Sequence, residues 1–175
     1  MKSNSNFVKS TEHMRQLLQT DVSKTTLLIR IMVGGIFSEG IQKFLYPMAR
    51  GTGRFESMGF PYPEFFGNFI GFIELLAGMM VLMGVLTRVG AFSTITIMSV
   101  AIITTKIPIA FRESFGPFVL RDLEVYGFWS MAHELRTDFA MWLGSLFLII
   151  KGGGRWSVDQ KLYRAWYSFS WQPND

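Results

Sequence analysis

A single carboxylate, Glu74, stands near the middle of the run Glu64–Leu86, EFFGNFIGFIELLAGMMVLMGVL. Past Glu64 at its start and Asn68 in its second turn the run is otherwise apolar, and it is long enough to cross a bilayer, whose hydrocarbon takes about 20 residues of helix. An ionisable group at that depth is costly to keep, so it marks a site of proton or ligand chemistry unless a partner neutralises it. Helical spacing says where it points. Gly67 and Gly71 precede it by seven and three residues and Gly78 follows by four, which places all three on its face. Glycines at such spacing let a second helix approach closely, so Glu74 is expected to face protein rather than lipid.

Other charged groups fall near the ends of apolar runs. Glu39, Gln42, Lys43 and Tyr46 form one polar stripe at the far end of a first run. Their spacing suggests a Glu39–Lys43 pair along one helix. Lys106 closes a third run, and Arg136 and Asp138 open a fourth. Glu74 is the candidate catalytic group, able to take or give a proton. Glu39, Lys43, Lys106, Arg136 and Asp138 are candidates for binding substrate, with the cations holding an oxygen or an anion. Glu74 or Asp138 is expected to pair with Lys106 or Arg136 across helices. A plainer reading stays open, in which these charges pair with one another and only specify how helices pack.

Composition narrows the chemistry. The chain has no cysteine and only two histidines, His13 and His133. Disulfides, thiol nucleophiles, iron–sulfur ligation and a cysteine redox relay within the chain are excluded, and no metal site is expected. The methionines are spread through apolar faces and read as core. Mean hydropathy is +0.27 and charged residues make up 17%. That is well below the roughly 25% of an ordinary soluble domain. The net charge of +4 does not point to nucleic acid, because the basic residues cluster just outside apolar runs.

The elements that must position these groups follow from the apolar runs. The expectation is an all-α integral membrane four-helix bundle with interfacial helices at the termini. Residues 1–24 read as a basic cytoplasmic tail or a surface helix carrying Phe7, Met14, Leu17 and Leu18. They lack the apolar stretch of a cleavable signal, so the first span is expected to be the anchor. The four-span bundle covers 25–151. Its first span, about 25–46, starts at a Thr25 or Thr26 cap and holds Arg30, expected to reach back to the headgroups. Residues 47–63 read as a loop, 64–86 as the second span, and 89–109 as the third, stopped near Pro108. Residues 110–132 form an aromatic connection. Only 14 residues separate Arg136 from Lys151, roughly 21 Å of helix, too short for about 30 Å of hydrocarbon. The fourth helix must therefore begin earlier and carry charge at membrane depth. Gly152-Gly153-Gly154 breaks it, and Ser157-Val-Asp-Gln160 opens an amphipathic interfacial helix within 152–175, with Val158, Leu162, Trp166 and Phe169 as its apolar face.

Basic residues divide nine to five between the two sides of such a bundle, the nine lying with the termini. That bias places both termini in the cytoplasm and the protein in the inner (plasma) membrane. The interior charges, Arg30 apart, then fall in the outer half, as one polar pocket roofed by the two outer loops.

Several motifs in order resemble the DoxX-like membrane proteins. They are Arg30 with Gly40-Ile-Gln-Lys43-Phe44, the loop Phe55…Gly59-Phe-Pro61, Glu74, Gly84-Val-Leu-Thr-Arg88, Thr105-Lys-Ile-Pro108, Arg136-Thr-Asp138, and Gly152…Gly154-Arg-Trp-Ser157-Val-Asp159. The resemblance spans about 25–162. It implies four transmembrane helices. Because the family includes the DoxD-type small subunit of thiosulfate:quinone oxidoreductase, it also points to a quinone-linked membrane subunit. No cofactor is expected to be covalently bound; a quinone is the candidate ligand. The alternatives are a non-catalytic membrane anchor or assembly subunit, and a small transporter or proton pathway. Beyond the lipid bilayer, a protein partner or a second copy of the chain is expected; the quinone-linked reading needs a partner that carries electrons, since this chain has no cysteine and no histidine pair for a redox centre.

Overall fold

The structure, a computed structural model, describes residues 19–170, with side chains through Trp166. The proposed surface helix around Phe7–Leu18, and the side chain of Phe169, lie outside the described residues. All of the regular structure described is helical.

The first apolar run forms α1 (Thr26–Gly34) and α2 (Ile36–Leu45), interrupted at Gly35. Neither Thr25 nor Thr26 caps α1 with its side chain; instead the Ser23 hydroxyl accepts from the Thr25 N–H at 3.3 Å. The expected loop 47–63 is partly helical, holding α3 (Pro47–Arg50) and α4 (Thr52–Ser57). Then comes α5 (Pro63–Met83), with Pro63 in its first turn, where a missing N–H does no harm. A turn with Gly84 at φ +71° leads into α6 (Thr87–Ala101).

Pro108 does not stop this third column. A π-helical turn, Ile102–Lys106, is followed by α7 (Ile107–Phe111). The Ile107 N–H reaches back to the Ile102 carbonyl. This wider turn carries the chain past the proline, whose ring would clash with a carbonyl in a regular α-helix. The last long helix, α8 (Phe128–Lys151), begins well before Arg136, as its required length demanded. After the glycine triplet comes α9 (Val158–Ser170). Ser157 caps it as expected, accepting from the Gln160 N–H at 3.1 Å.

The packing is inverted relative to a water-soluble core. On α5, Gly67, Gly71, Glu74, Ala77, Gly78 and Val81 are buried. Phe65, Phe69, Phe72, Leu76, Met79 and Met83 are exposed. The same division recurs on α6, with Gly90, Ala91 and Thr94 inside and Val89, Phe92 and Val100 outside. On α8, Gly144 and Ser145 lie inside, and Leu143, Phe147 and Ile150 outside. Small residues in and bulky apolar residues out is the arrangement that lipid, not water, favours. Two helical columns, Pro63–Met83 and Thr87–Phe111, are long and apolar enough to cross a membrane.

Helix α5 packs against α1, α2 and α6, and α8 packs against α1, α6 and α7. Val33, Val81, Ala91 and Leu148 meet in one buried cluster, drawn from α1, α5, α6 and α8. Ile36, Met98 and Met141 form a second. The closeness depends on glycine. A Cβ at Gly78 would sit 2.5 Å from the Phe37 backbone nitrogen, and one at Gly40 would sit 2.8 Å from the Gly71 carbonyl. Trp142 Nε1 donates to Ser99 Oγ at 2.9 Å, joining α8 to α6.

Candidate functional site

Glu74 is 4% exposed and faces the protein interior. Its carboxylate accepts from Lys43 Nζ at 2.5 Å. The contact follows from the glycines: with no side chain at Gly71, the Lys43 Cβ comes within 3.3 Å of where a Cβ there would lie. Lys43 therefore crosses from α2 to α5, and the expected Glu39–Lys43 pair is not made. Glu39 is half-buried and forms no ion pair among the described residues. Glu74 likewise pairs with neither Lys106 nor Arg136. The lysine and carboxylate side chains are 13% and 5% exposed, so what access the pair has to its surroundings is greater on the Lys43 side.

Lys106 anchors a second group. Its Nζ lies 3.5 Å from Asp138 and 3.8 Å from Glu134. Arg121 closes on Glu134 at 3.0 Å. The Lys106–Asp138 contact is one of the expected cross-helix pairs, and it balances the charge at the start of α8. Arg136 is not part of it. It is exposed on α8 and lies against His133, with Nη1 2.6 Å from the imidazole Nδ1.

A cavity of about 570 Å³ opens beside this second group. It is lined by Arg50, Arg54, Lys106, Arg121 and Asp122, among others. The two loops roof it together. Val119 N–H donates to the Met58 carbonyl at 3.0 Å. Phe60 and Phe118 meet with ring centroids 4.6 Å apart. A roofed polar pocket thus exists, but it is not one chamber holding every predicted charge. Lys106 lines it; Lys43, Glu74, Asp138 and Arg136 do not. Among the described residues, no cluster of three or more His, Asp or Glu side chains could hold a metal ion.

The opposite end holds a polar knot that the sequence reading missed. Arg30 does not reach the headgroups; it is 2% exposed. Its guanidinium donates to the carbonyls of Val81 at 2.8 Å, Leu82 at 2.5 Å, Trp156 at 2.7 Å and Gly153 at 3.3 Å. The first two belong to the last turn of α5, where a cation also meets the negative end of the helix dipole. Asp159, also 2% exposed, accepts from Leu86 N–H at 2.7 Å, Thr87 N–H at 2.9 Å and Thr87 Oγ1 at 2.7 Å. It caps α6 from a different helix. Gly84 sits between the two, where a Cβ would come within 2.7 Å of Arg30 Cζ. Ser157 capping its own helix was visible in the sequence; nothing in the local pattern told that Asp159 serves another.

These features define an all-helical membrane protein with buried charge at both ends of its helical columns. A family model described as DoxX matches residues 25–107. The uncharacterized membrane protein Rv3486 of Mycobacterium tuberculosis is 44% identical over 148 residues, 84% of this chain and 86% of that protein. The chain belongs to the DoxX family. No solved structure matches it.

Proposed function

We propose that this DoxX-family protein is a four-span membrane subunit of a quinone-linked oxidoreductase, set in the inner membrane with both termini in the cytoplasm. In this reading α1–α2, α5, α6–α7 and α8 are the four spans. The inverted packing of α5, α6 and α8 supports it, as does the excess of basic residues on the side of the termini. The observation that carries the functional part is the buried Lys43–Glu74 pair. It sits about two helical turns below Gly67, which packs on Thr52 of the loop that lines the outer cavity.

A quinone reduced to quinol takes up two electrons and two protons. Glu74 would pass the two protons in turn, regaining each from the aqueous side, and Lys43, on the more accessible side, would hold the quinone oxygen. The electrons would come from a redox centre on a partner chain, since this sequence offers no cysteine and no in-membrane histidine pair to hold one. Gentle purification followed by mass spectrometry of bound lipids, quinones and proteins tests this. Quinone is expected to co-purify, and Glu74→Gln is expected to lower its retention more than Glu39→Gln. Equal and negligible effects from both changes would leave the pair a purely structural role.

The second reading is a non-catalytic anchor or assembly subunit. It is favoured by the mutual neutralisation of Lys43 and Glu74, neither of which lines the cavity. A stoichiometric protein partner with no bound quinone would select it.

A further inference from the structure

The outer cavity has a chemistry of its own. Arg50, Arg54, Lys106 and Arg121 line it, against one carboxylate among the described residues, that of Asp122. Lys106 and Arg121 are already engaged by Asp138 and Glu134. Arg50 and Arg54 are exposed and form no ion pair among the described residues. The short helices α3 and α4 present these two guanidiniums to the same cavity, and Ser57 lines it beside them. Planar guanidinium forks match the oxygens of a phosphate group, which they hold by paired hydrogen bonds. A volume of about 570 Å³ lies within the roughly 300–1,000 Å³ usual for small-molecule sites.

The placement narrows the ligand further. The cavity lies where α2 ends and α7 begins, at the boundary between the apolar columns and their loops. Met58, Ile109, Val119 and Leu120 form its apolar wall. Leu45, Met48 and Ile107 are exposed on adjoining elements, as a surface for acyl chains. We propose that this cavity binds a phosphate group, presented by the headgroup of an anionic phospholipid, with Arg50 and Arg54 as the primary contacts. The free anion shares the same chemistry. The site stands apart from the quinone reading, because neither Lys43 nor Glu74 lines it.

The test uses the full chain, purified in uncharged detergent. Native mass spectrometry counts adducts after incubation with phosphatidylglycerol or phosphatidylcholine, with and without inorganic phosphate. Phosphatidylglycerol is expected to be retained about tenfold more than phosphatidylcholine, and R50Q/R54Q to lose about tenfold of it. A matched R155Q/K161Q variant, at the other end of the molecule, is expected to change retention less than about twofold. Retention that resists phosphate supports the lipid headgroup; displacement by phosphate with the same arginine dependence supports the free anion at the same site. Equal retention of the two lipids, or undiminished retention in R50Q/R54Q, overturns the proposal. Melting of R50Q/R54Q reports its folding. If melting is lowered, R54K is read instead; it keeps the charge, loses the fork, and should still weaken retention about threefold. Unchanged retention in R54K then overturns the proposal.

Discussion

Removing the Asp159 carboxylate should unfasten the C-terminal segment from the bundle. The side chain is 2% exposed and accepts from two backbone N–H groups and one hydroxyl at the start of α6. Asp159→Ala leaves those donors in a buried place without an acceptor, each costing about 1–3 kcal/mol. It also removes a buried carboxylate whose charge acts on Arg30, a guanidinium held by four carbonyls. Three orphaned donors at that cost, partly relieved where water can reach them, set the expected loss at about 3–5 kcal/mol. For a chain of this size that lowers Tm by roughly 10 °C. Thermal unfolding of the full chain in mild detergent, followed by tryptophan emission, reads it directly, because Trp156 belongs to the knot. Asp159→Asn keeps the shape but turns an amide toward a donor, so it should fall between wild type and Asp159→Ala. A Tm for Asp159→Ala within about 2 °C of wild type would refute the reasoning, since a buried three-bond cap cannot be that cheap to lose.

Two further outcomes follow from the packing. The chain has no cysteine, so Lys43→Cys/Gly71→Cys gives a clean pair. Its Cβ atoms would lie about 3.3 Å apart, close to the roughly 3.5–4.5 Å of a disulfide. Oxidation should link the two halves of a chain cut between residues 47 and 63, as seen on a non-reducing gel. Arg136→Ala should shift stability by less than about 0.5 kcal/mol, because the side chain is exposed and its described contact is a neighbouring imidazole on the same helix. Parallel melting of Lys106→Met, which strips two carboxylates of their buried-side cation, should show the larger loss.

The apolar runs made most of the helices legible, because lipid-facing columns leave long uncharged stretches. Glu74 facing inward was legible too, from the glycines at three- and four-residue spacing. What the local pattern concealed were partners set by tertiary approach. Lys43 lies one turn from Glu39 on the same helix, yet the glycine face of α5 brings Glu74 closer. Arg30 read as a boundary residue because only the folded chain carries the last carbonyls of α5 and those of Gly153 and Trp156 to it. The continuation past Pro108 was hidden for a backbone reason, since the π-helical turn that allows it has no side-chain signature. Several separate motifs of the DoxX pattern gather at just two places. Arg30, Gly84-Val-Leu-Thr-Arg88 and Gly152…Asp159 meet in the knot. Phe55…Pro61 and Thr105-Lys-Ile-Pro108 border the cavity lined by Arg50 and Arg54.

The most direct measurement is a double-mutant cycle on Lys43 and Glu74, with the protein in lipid bilayers and unfolding free energies measured for Lys43→Met, Glu74→Gln and the double change. The account predicts that the two losses are far from additive, with a coupling of about 1–3 kcal/mol and a double variant more stable than either single one. Additivity within about 0.5 kcal/mol would mean that the lysine and the carboxylate do not meet inside the protein, and the proton site built on them would fall with it.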